Sequence, residues 1–159
     1  MYSKLLGALI TVALLAGCSH PANTGAATGG GAAVTTPAGP VPGSEEDLVQ
    51  NVGDRVFFPF DSSQLTPEDQ ATLDRQAAWL QRYPQVQVQI AGNCDERGTE
   101  EYNLALGQRR ANAARDYLVA RGTSAARITT ISYGKDRPTA LGSNEEAWAQ
   151  NRNAITSVR

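Results

Sequence analysis

The sequence predicts an α/β (α+β) sandwich in the order β-α-β-α-β-(short α)-β, its helices packed on a mixed four-stranded sheet. Three observations carry the prediction. Residues 85–91, Gln-Val-Gln-Val-Gln-Ile-Ala, alternate polar and apolar with a period of two, the pattern of a half-buried strand. Two longer segments, 66–83 and 99–121, place apolar residues at helical spacing between clear start and stop signals. These helices separate short apolar runs at 55–60, 127–133 and 154–158. Strands alternating with helices of this length favour layered helix-on-sheet packing.

Arg55 to Phe60 reads as the first strand, with Val56, Phe58 and Phe60 on one face and Pro59 marking an edge or bulge. Before it, Glu45-Glu46-Asp47 is expected to be an exposed acidic lead-in. Thr66-Pro67-Glu68-Asp69 starts the first helix: Thr caps, Pro takes the first helical position, and acids fill the first turn. Leu73, Ala77 and Leu80 share one face, and Tyr83-Pro84 ends the helix. The second helix is expected from Thr99 to Arg121, stopping at Gly122, with Leu106, Ala113, Ala114, Tyr117 and Leu118 as its apolar stripe. Arg127 to Tyr133 forms the third strand through Ile128 and Ile131, closed by Gly134. Asn144 caps a short helix through Trp148, and Ala154 to Val158 is the last strand.

Near-neutral charge, −2 over 159 residues, argues against a nucleic-acid binder. The apolar residues fall in two places: one block at the N-terminus, the rest after residue 50. Lys4 followed by the apolar run Leu5 to Ala16 has the layout of a signal peptide and is too short to span a bilayer, which takes about 20 residues. It ends in Leu15-Ala16-Gly17-Cys18, which resembles the bacterial lipobox. That resemblance implies cleavage after Gly17 and lipidation of Cys18. Ser19, where an inner-membrane sorting signal has Asp, resembles the pattern that directs lipoproteins to the outer membrane. Several acyl chains anchor stably, since each buried CH₂ contributes about 0.8 kcal/mol. Residues 19–44 are rich in Ala, Gly, Thr and Pro and carry no Asp, Glu, Lys or Arg, as expected of a tether. The expected organisation is therefore a signal peptide at 1–17, a lipidated Cys and tether at 18–44, and a domain at 45–159. Cys94 then remains a lone thiol, read as a small buried hydrophobe at a strand end. No metal or cofactor is implied: the one histidine, His20, lies in the tether.

Charge concentrates where the strand at 85–91 gives way to the second helix, at Asp95-Glu96-Arg97 and Arg109-Arg110. At 100° per residue, Arg110 falls between Leu106 and Ala114 on the core-facing stripe, where an unpaired charge is costly. Asp95, in the loop feeding that helix, can fold back over its first turns, and Asp61 can reach the same mouth. One reading is a structural Asp–Arg pair tying loop to helix. The other is a site for a zwitterion, Asp95 meeting an ammonium and Arg110 clamping a carboxylate, with help from N–H groups at the helix start. On the second reading, Asp95→Ala or Arg110→Ala is expected to abolish ligand binding while leaving the fold intact.

Phe60-Asp61, Gly92 to Ala111, Ser132-Tyr133-Gly134 with Pro138, and Asn151-Arg152 resemble the OmpA-like C-terminal domain family. Asp95-Glu96-Arg97-Gly98-Thr99, Glu101-Tyr102-Asn103 and Gly107 with Arg109-Arg110-Ala111 resemble most closely its branch of peptidoglycan-associated lipoproteins. The resemblance covers about residues 50–159. It implies non-covalent binding of peptidoglycan through the diaminopimelate of the stem peptide, with Asp95 and Arg110 holding the zwitterionic end. The positions matching Phe60, Asp61, Arg97, Thr99, Asn103 and Leu106 are implied to line the pocket. It also implies an outer-membrane lipoprotein facing the periplasm, with TolB and other Tol proteins as partners in envelope integrity and cell division. The sequence departs from the family at Asn93, often His, and at Cys94, often Ala or Thr.

Two other functions compete with this one. A lipid-anchored OmpA-like protein outside the Tol system shares the wall-binding motif. An enzyme acting on peptidoglycan would need Glu96 with Asp95 or Asp61 as an acid/base pair. Adjacent side chains at 95 and 96 point apart in an extended loop, and nearby arginines depress carboxylate pKa values, which does not suit a general acid.

Overall fold

The computed structural model describes residues 39–159. The lipobox, Cys18 and most of the tether lie outside the described residues. Among the described residues, no helix is long and apolar enough to cross a membrane.

The element order matches the expectation, with additions at the start. A one-turn helix α1 (Glu45–Asp47) runs into a π-turn (Leu48–Val52), followed by β1 (Arg55–Phe57), α2 (Pro67–Arg82), β2 (Val88–Asn93) and α3 (Glu100–Ala120). A 3₁₀ turn (Ala125–Arg127), β3 (Ile128–Gly134), α4 (Glu145–Asn151) and β4 (Asn153–Val158) complete the domain. The sheet order is β1-β4-β2-β3. β4 runs antiparallel to both β1 and β2, and β2 and β3 are parallel, so the sheet is mixed as predicted. The C-terminal ends of β1, β2 and β3 and the N-terminal end of β4 therefore meet at one edge of the domain.

The helices begin as their caps dictate. Thr66 and Asp69 form a reciprocal capping box at α2, and the Asp69 carboxylate also accepts from the Phe57 N–H at 2.9 Å, fastening β1 to α2. The Thr99 hydroxyl accepts from the Tyr102 N–H to cap α3, and Gly122, at φ +95°, ends it. Leu73, Ala77 and Leu80 from α2, Val88 and Ile90 from β2, and Ala111, Ala114 and Leu118 from α3 form the buried core. Ala113 and Tyr117 are only half-buried at its margin.

Two expectations are corrected. The acidic lead-in is ordered: Asp47 is buried and accepts from the Gly43 N–H, Asn51 and the Trp79 indole at 2.8, 2.8 and 2.9 Å. The first strand stops at Phe57, because the chain turns out of the sheet at Pro59, so Phe58 is buried while Phe60 is 60% exposed. The third strand does run through Ile128 and Ile131, which their odd spacing sets on opposite faces of β3.

A close approach sets the depth of α3. A Cβ on Gly92 would overlap the Gly107 carbonyl, 2.6 Å from its carbon. One on Gly107 would lie 2.8 Å from the Gly92 oxygen. The two glycines let α3 rest directly on β2, and a register shift at Gly92/Asn93 turns the chain out of the ladder just beyond.

Candidate functional site

The loop that leaves β2 carries Cys94 to Gly98 across the edge where the strand ends meet. There an open cavity of about 170 Å³ is lined by Phe60, Asp61, Cys94, Asp95, Arg97, Gly98, Tyr102, Asn103, Leu106, Arg110 and Arg152. Seven of the eight residues expected at the site line it. Thr99 does not, because its hydroxyl is committed to capping α3.

Arg110 projects inward from α3 and is 1% exposed. Its Nε donates to the Ser62 carbonyl at 2.8 Å, Nη1 to the Asn93 carbonyl at 2.8 Å and to Cys94 Sγ at 3.4 Å, and Nη2 to the Pro59 carbonyl at 3.2 Å. Burial pulls this guanidinium below its usual pKa. A guanidinium has five N–H donors, and these four bonds leave one on Nη2 uncommitted. The charge on the core-facing stripe is thus satisfied by backbone carbonyls from the Pro59–Ser62 loop and the end of β2. Asp95 is not its ion-pair partner.

Asp95, 4% exposed, pairs instead with Arg97 at 2.6 Å and with Arg152 at 3.3 Å. Burial pushes its carboxyl up, but the side-chain and backbone hydrogen bonds from Arg97, with that from Arg152, hold it below the usual carboxylate range. The reading of a structural Asp95–Arg110 pair is therefore corrected: the two groups line one cavity without bonding each other, each held by other partners. Glu145 completes a circuit of charge, accepting from Arg152 at 2.8 Å and lying 3.9 Å from Arg97. The Arg97 guanidinium stacks between the rings of Phe60 and Trp148, at 4.2 and 4.1 Å from their centroids.

The remaining side chains shape the mouth. Asn103 Nδ2 donates to the Arg97 carbonyl at 2.7 Å and holds the loop over the start of α3. The Tyr102 hydroxyl donates to Asp61, the one non-glycine residue with positive φ (+52°) among the described residues. Leu106 and Phe60 supply apolar wall. Glu96 turns away to accept from the Trp148 indole at 2.9 Å, and hydrogen bonds from Ser143 and Trp148 lower its pKa. With Asp95 lowered as well, neither adjacent carboxyl is poised as a general acid. Cys94 is buried, and burial pushes its thiol up, as befits a small core residue.

Arg152 is the contact that residue-level reasoning missed. It belongs to the Asn151-Arg152 motif, but nothing in its spacing ties it to residue 95, because the pairing spans 57 positions and exists only once β4 inserts between β1 and β2. Tyr102 likewise belongs to the Glu101-Tyr102-Asn103 motif, and its reach to Asp61 depends on the turn at Pro59.

A four-stranded mixed sheet with two long helices on one face and an arginine-lined cavity at its edge is the arrangement of an OmpA-like domain. The OmpA family model matches residues 57–152, and the chain belongs to that family. Within it, the chain is 50% identical over 154 residues to a peptidoglycan-associated lipoprotein of Rhizobium meliloti (strain 1021), covering 94% of this chain and 84% of the relative. It is also 50% identical over 158 residues to one of Brucella melitensis biotype 1, covering 97% and 90%. A crystal structure of the peptidoglycan-associated lipoprotein from Burkholderia pseudomallei is similar with a TM-score of 0.65 and 46% identity, over 67% of this chain and 90% of that one.

Proposed function

We propose that this chain is an outer-membrane lipoprotein whose domain binds peptidoglycan non-covalently through the diaminopimelate of the stem peptide. The observation that supports the reading is the open cavity lined by both Asp95 and Arg110, which are bonded to other groups and not to each other. The free end of diaminopimelate bears one ammonium and one carboxylate. In this reading Asp95 receives the ammonium, the uncommitted N–H of Arg110 receives the carboxylate, and Asp61, Asn103, Leu106 and Phe60 border the remainder, with Arg97 beside them and Thr99 fixing the helix start. Support comes also from the relatives, which are named for association with peptidoglycan. The domain acts as a binding module, not as an enzyme.

The proposal extends to the whole chain. Residues 1–17 are a signal peptide, lipidated Cys18 is the anchor, 18–44 is a tether, and 45–159 is the wall-binding domain on the periplasmic side. The tether joins the domain where Gly43 donates to Asp47. Together these parts link outer membrane to cell wall within the Tol-Pal system, with TolB as a protein partner, in envelope integrity and cell division.

Calorimetric titration with stem peptide containing diaminopimelate, against the counterpart containing lysine, tests the reading. Lysine keeps the ammonium and lacks the second carboxylate, so it is expected to bind clearly more weakly. Equal affinity, or none for either, overturns the proposal. A pull-down of TolB with the full chain tests the assignment to the Tol system.

A further inference from the structure

Asp95 offers no vacant acceptor position to an incoming ammonium. A carboxylate has about four lone-pair sites. Oδ1 accepts from the Arg97 backbone N–H and Nε, both at 3.1 Å, and Oδ2 from Arg97 Nη2 at 2.6 Å and Arg152 Nη1 at 3.3 Å. Three of the four bonds come from Arg97, two of them from its guanidinium. The place that the proposed function assigns to a ligand cation is filled by one of the protein's own.

The two arginines on Asp95 differ in their freedom. The Arg152 side chain is 8% exposed and is also tied to the Phe58 carbonyl at 3.0 Å and to Glu145. The Arg97 side chain is 31% exposed, and what holds its guanidinium besides Asp95 is stacking between two rings, one of them the 60% exposed Phe60. A second acceptor waits beside it: Glu145 Oε2 is 3.9 Å from Arg97 Nη1, with a side chain 62% exposed. A rotation about the outer side-chain bonds would carry the guanidinium from Asp95 to Glu145. The backbone N–H bond to Oδ1 and the Arg152 bond to Oδ2 survive that rotation, so the loop stays in place while one acceptor position on each oxygen becomes free.

The geometry points to Arg97 as a displaceable plug, an internal cation that occupies Asp95 in the empty protein and transfers to Glu145 when a ligand ammonium arrives. This deepens the proposed function and rests on it. The consequence is selectivity. A ligand with an ammonium replaces one charge-assisted bond with another, at small net electrostatic cost. A ligand whose amine is blocked must expel Arg97 without compensation, or bind outside a closed pocket. Arg97 thus weakens binding of every ligand somewhat and weakens the wrong ones most, which is how an unfavourable contact produces specificity.

The test is calorimetric titration of the full chain with diaminopimelate-containing stem peptide and with the same peptide acetylated on the free diaminopimelate amine. Arg97→Gln is expected to bind the free-amine peptide about two- to fivefold more tightly, the contribution of a half-exposed ion pair. It is also expected to narrow the preference over the acetylated peptide. Arg97→Lys restores most of that preference, because it restores a cation on Asp95. Glu145→Gln binds the free-amine peptide more weakly by a similar factor, since the displaced guanidinium loses its second ion-pair partner. Weaker or unchanged binding by Arg97→Gln overturns the plug and makes Arg97 a direct contact or a bystander. If the wild-type chain binds neither peptide, the proposed function itself fails and the plug with it, an outcome distinct from a reversed Arg97 effect in a chain that does bind.

Discussion

Arg110→Ala is expected to unfold the domain part-way towards instability, not merely to silence the site. The side chain is 1% exposed and bridges three carbonyls, at Pro59, Ser62 and Asn93. Truncation leaves them without donors. Pro59 is exposed and Ser62 half-buried, so water can reach those two. Asn93 is 3% exposed, and its orphaned carbonyl costs about 1–3 kcal/mol. The lost stacking on Phe58, 5.2 Å from the guanidinium, and the void left by the aliphatic stem add roughly another 1–2 kcal/mol. Relief from holding a buried charge returns part of this. The net expectation is a loss of about 2–4 kcal/mol from a total stability of order 5–15 kcal/mol. Urea titration followed by circular dichroism measures it, and peptide binding is then scored well below the unfolding midpoint. Arg110→Lys keeps the charge but not the fork, and recovers only a fraction of the loss. A loss below about 0.5 kcal/mol, within the range of ordinary surface substitutions, would refute the argument. The carbonyls would then be served by water, and the sequence-based expectation of an intact fold would stand.

Other perturbations probe the scaffold and the charges separately. Gly92→Ala places a methyl inside the Gly107 carbonyl and forces α3 off β2; a loss of about 3 kcal/mol or more by urea titration is expected, and a loss under about 1 kcal/mol means the contact is looser than described. Asp61→Gly relieves a left-handed backbone, φ +52°, while removing a carboxylate from the cavity rim. Stability should hold or rise by up to about 1 kcal/mol while peptide affinity falls, and a marked fall in stability would show that the bond from Tyr102 matters more than the strain. Asp95 has its folded pKa below its ordinary 3.8, so its charge stabilises the loop at pH values above that figure. The contribution is lost as pH falls below 3.8 through the folded value. The difference in urea midpoint between wild type and Asp95→Asn should be level above this window and close below it; closure well above 3.8 would contradict the lowered pKa.

The helices and their ends were legible because local chemistry decides them. Thr66 with Asp69, Thr99 and Asn144 each accept from a backbone N–H of the first turn as their residue types suggest, and Gly122 takes the positive φ that a helix end favours. The alternation at Val86, Val88 and Ile90 gave the central strand its buried face. What stayed hidden was set by long-range geometry. Asp47 looked like a solvated acid until the Trp79 indole, 32 residues away, came to it. Arg127 gave no signal of its bonds to the Leu80, Tyr83 and Val86 carbonyls, since backbone acceptors leave no trace in side-chain pattern. The same blindness explains Arg110: the helical wheel places a charge on the core-facing stripe and leaves open a carboxylate partner or a ligand, while the fold supplies carbonyls.

That substitution changes what the site can do. Had Asp95 been spent on neutralising Arg110, ligand binding would have required breaking a buried pair, at several kcal/mol. Carbonyl oxygens instead satisfy the arginine without cancelling its charge, so the cavity keeps a positive wall. Asp95, meanwhile, pairs with the buried Arg152 and with Arg97, whose side chain is 31% exposed. One charge is therefore held by the scaffold alone, and the other is shared between a buried arginine and a partly exposed one, the one proposed to move. Variants at Arg110 must confound folding with binding, whereas variants at Arg97 can separate them. The depth of α3 underlies both, because the Gly92–Gly107 contact brings the Arg110 guanidinium within 2.8 Å of the Asn93 carbonyl. A shift of the helix by the thickness of one methyl group would stretch that bond beyond hydrogen-bonding range.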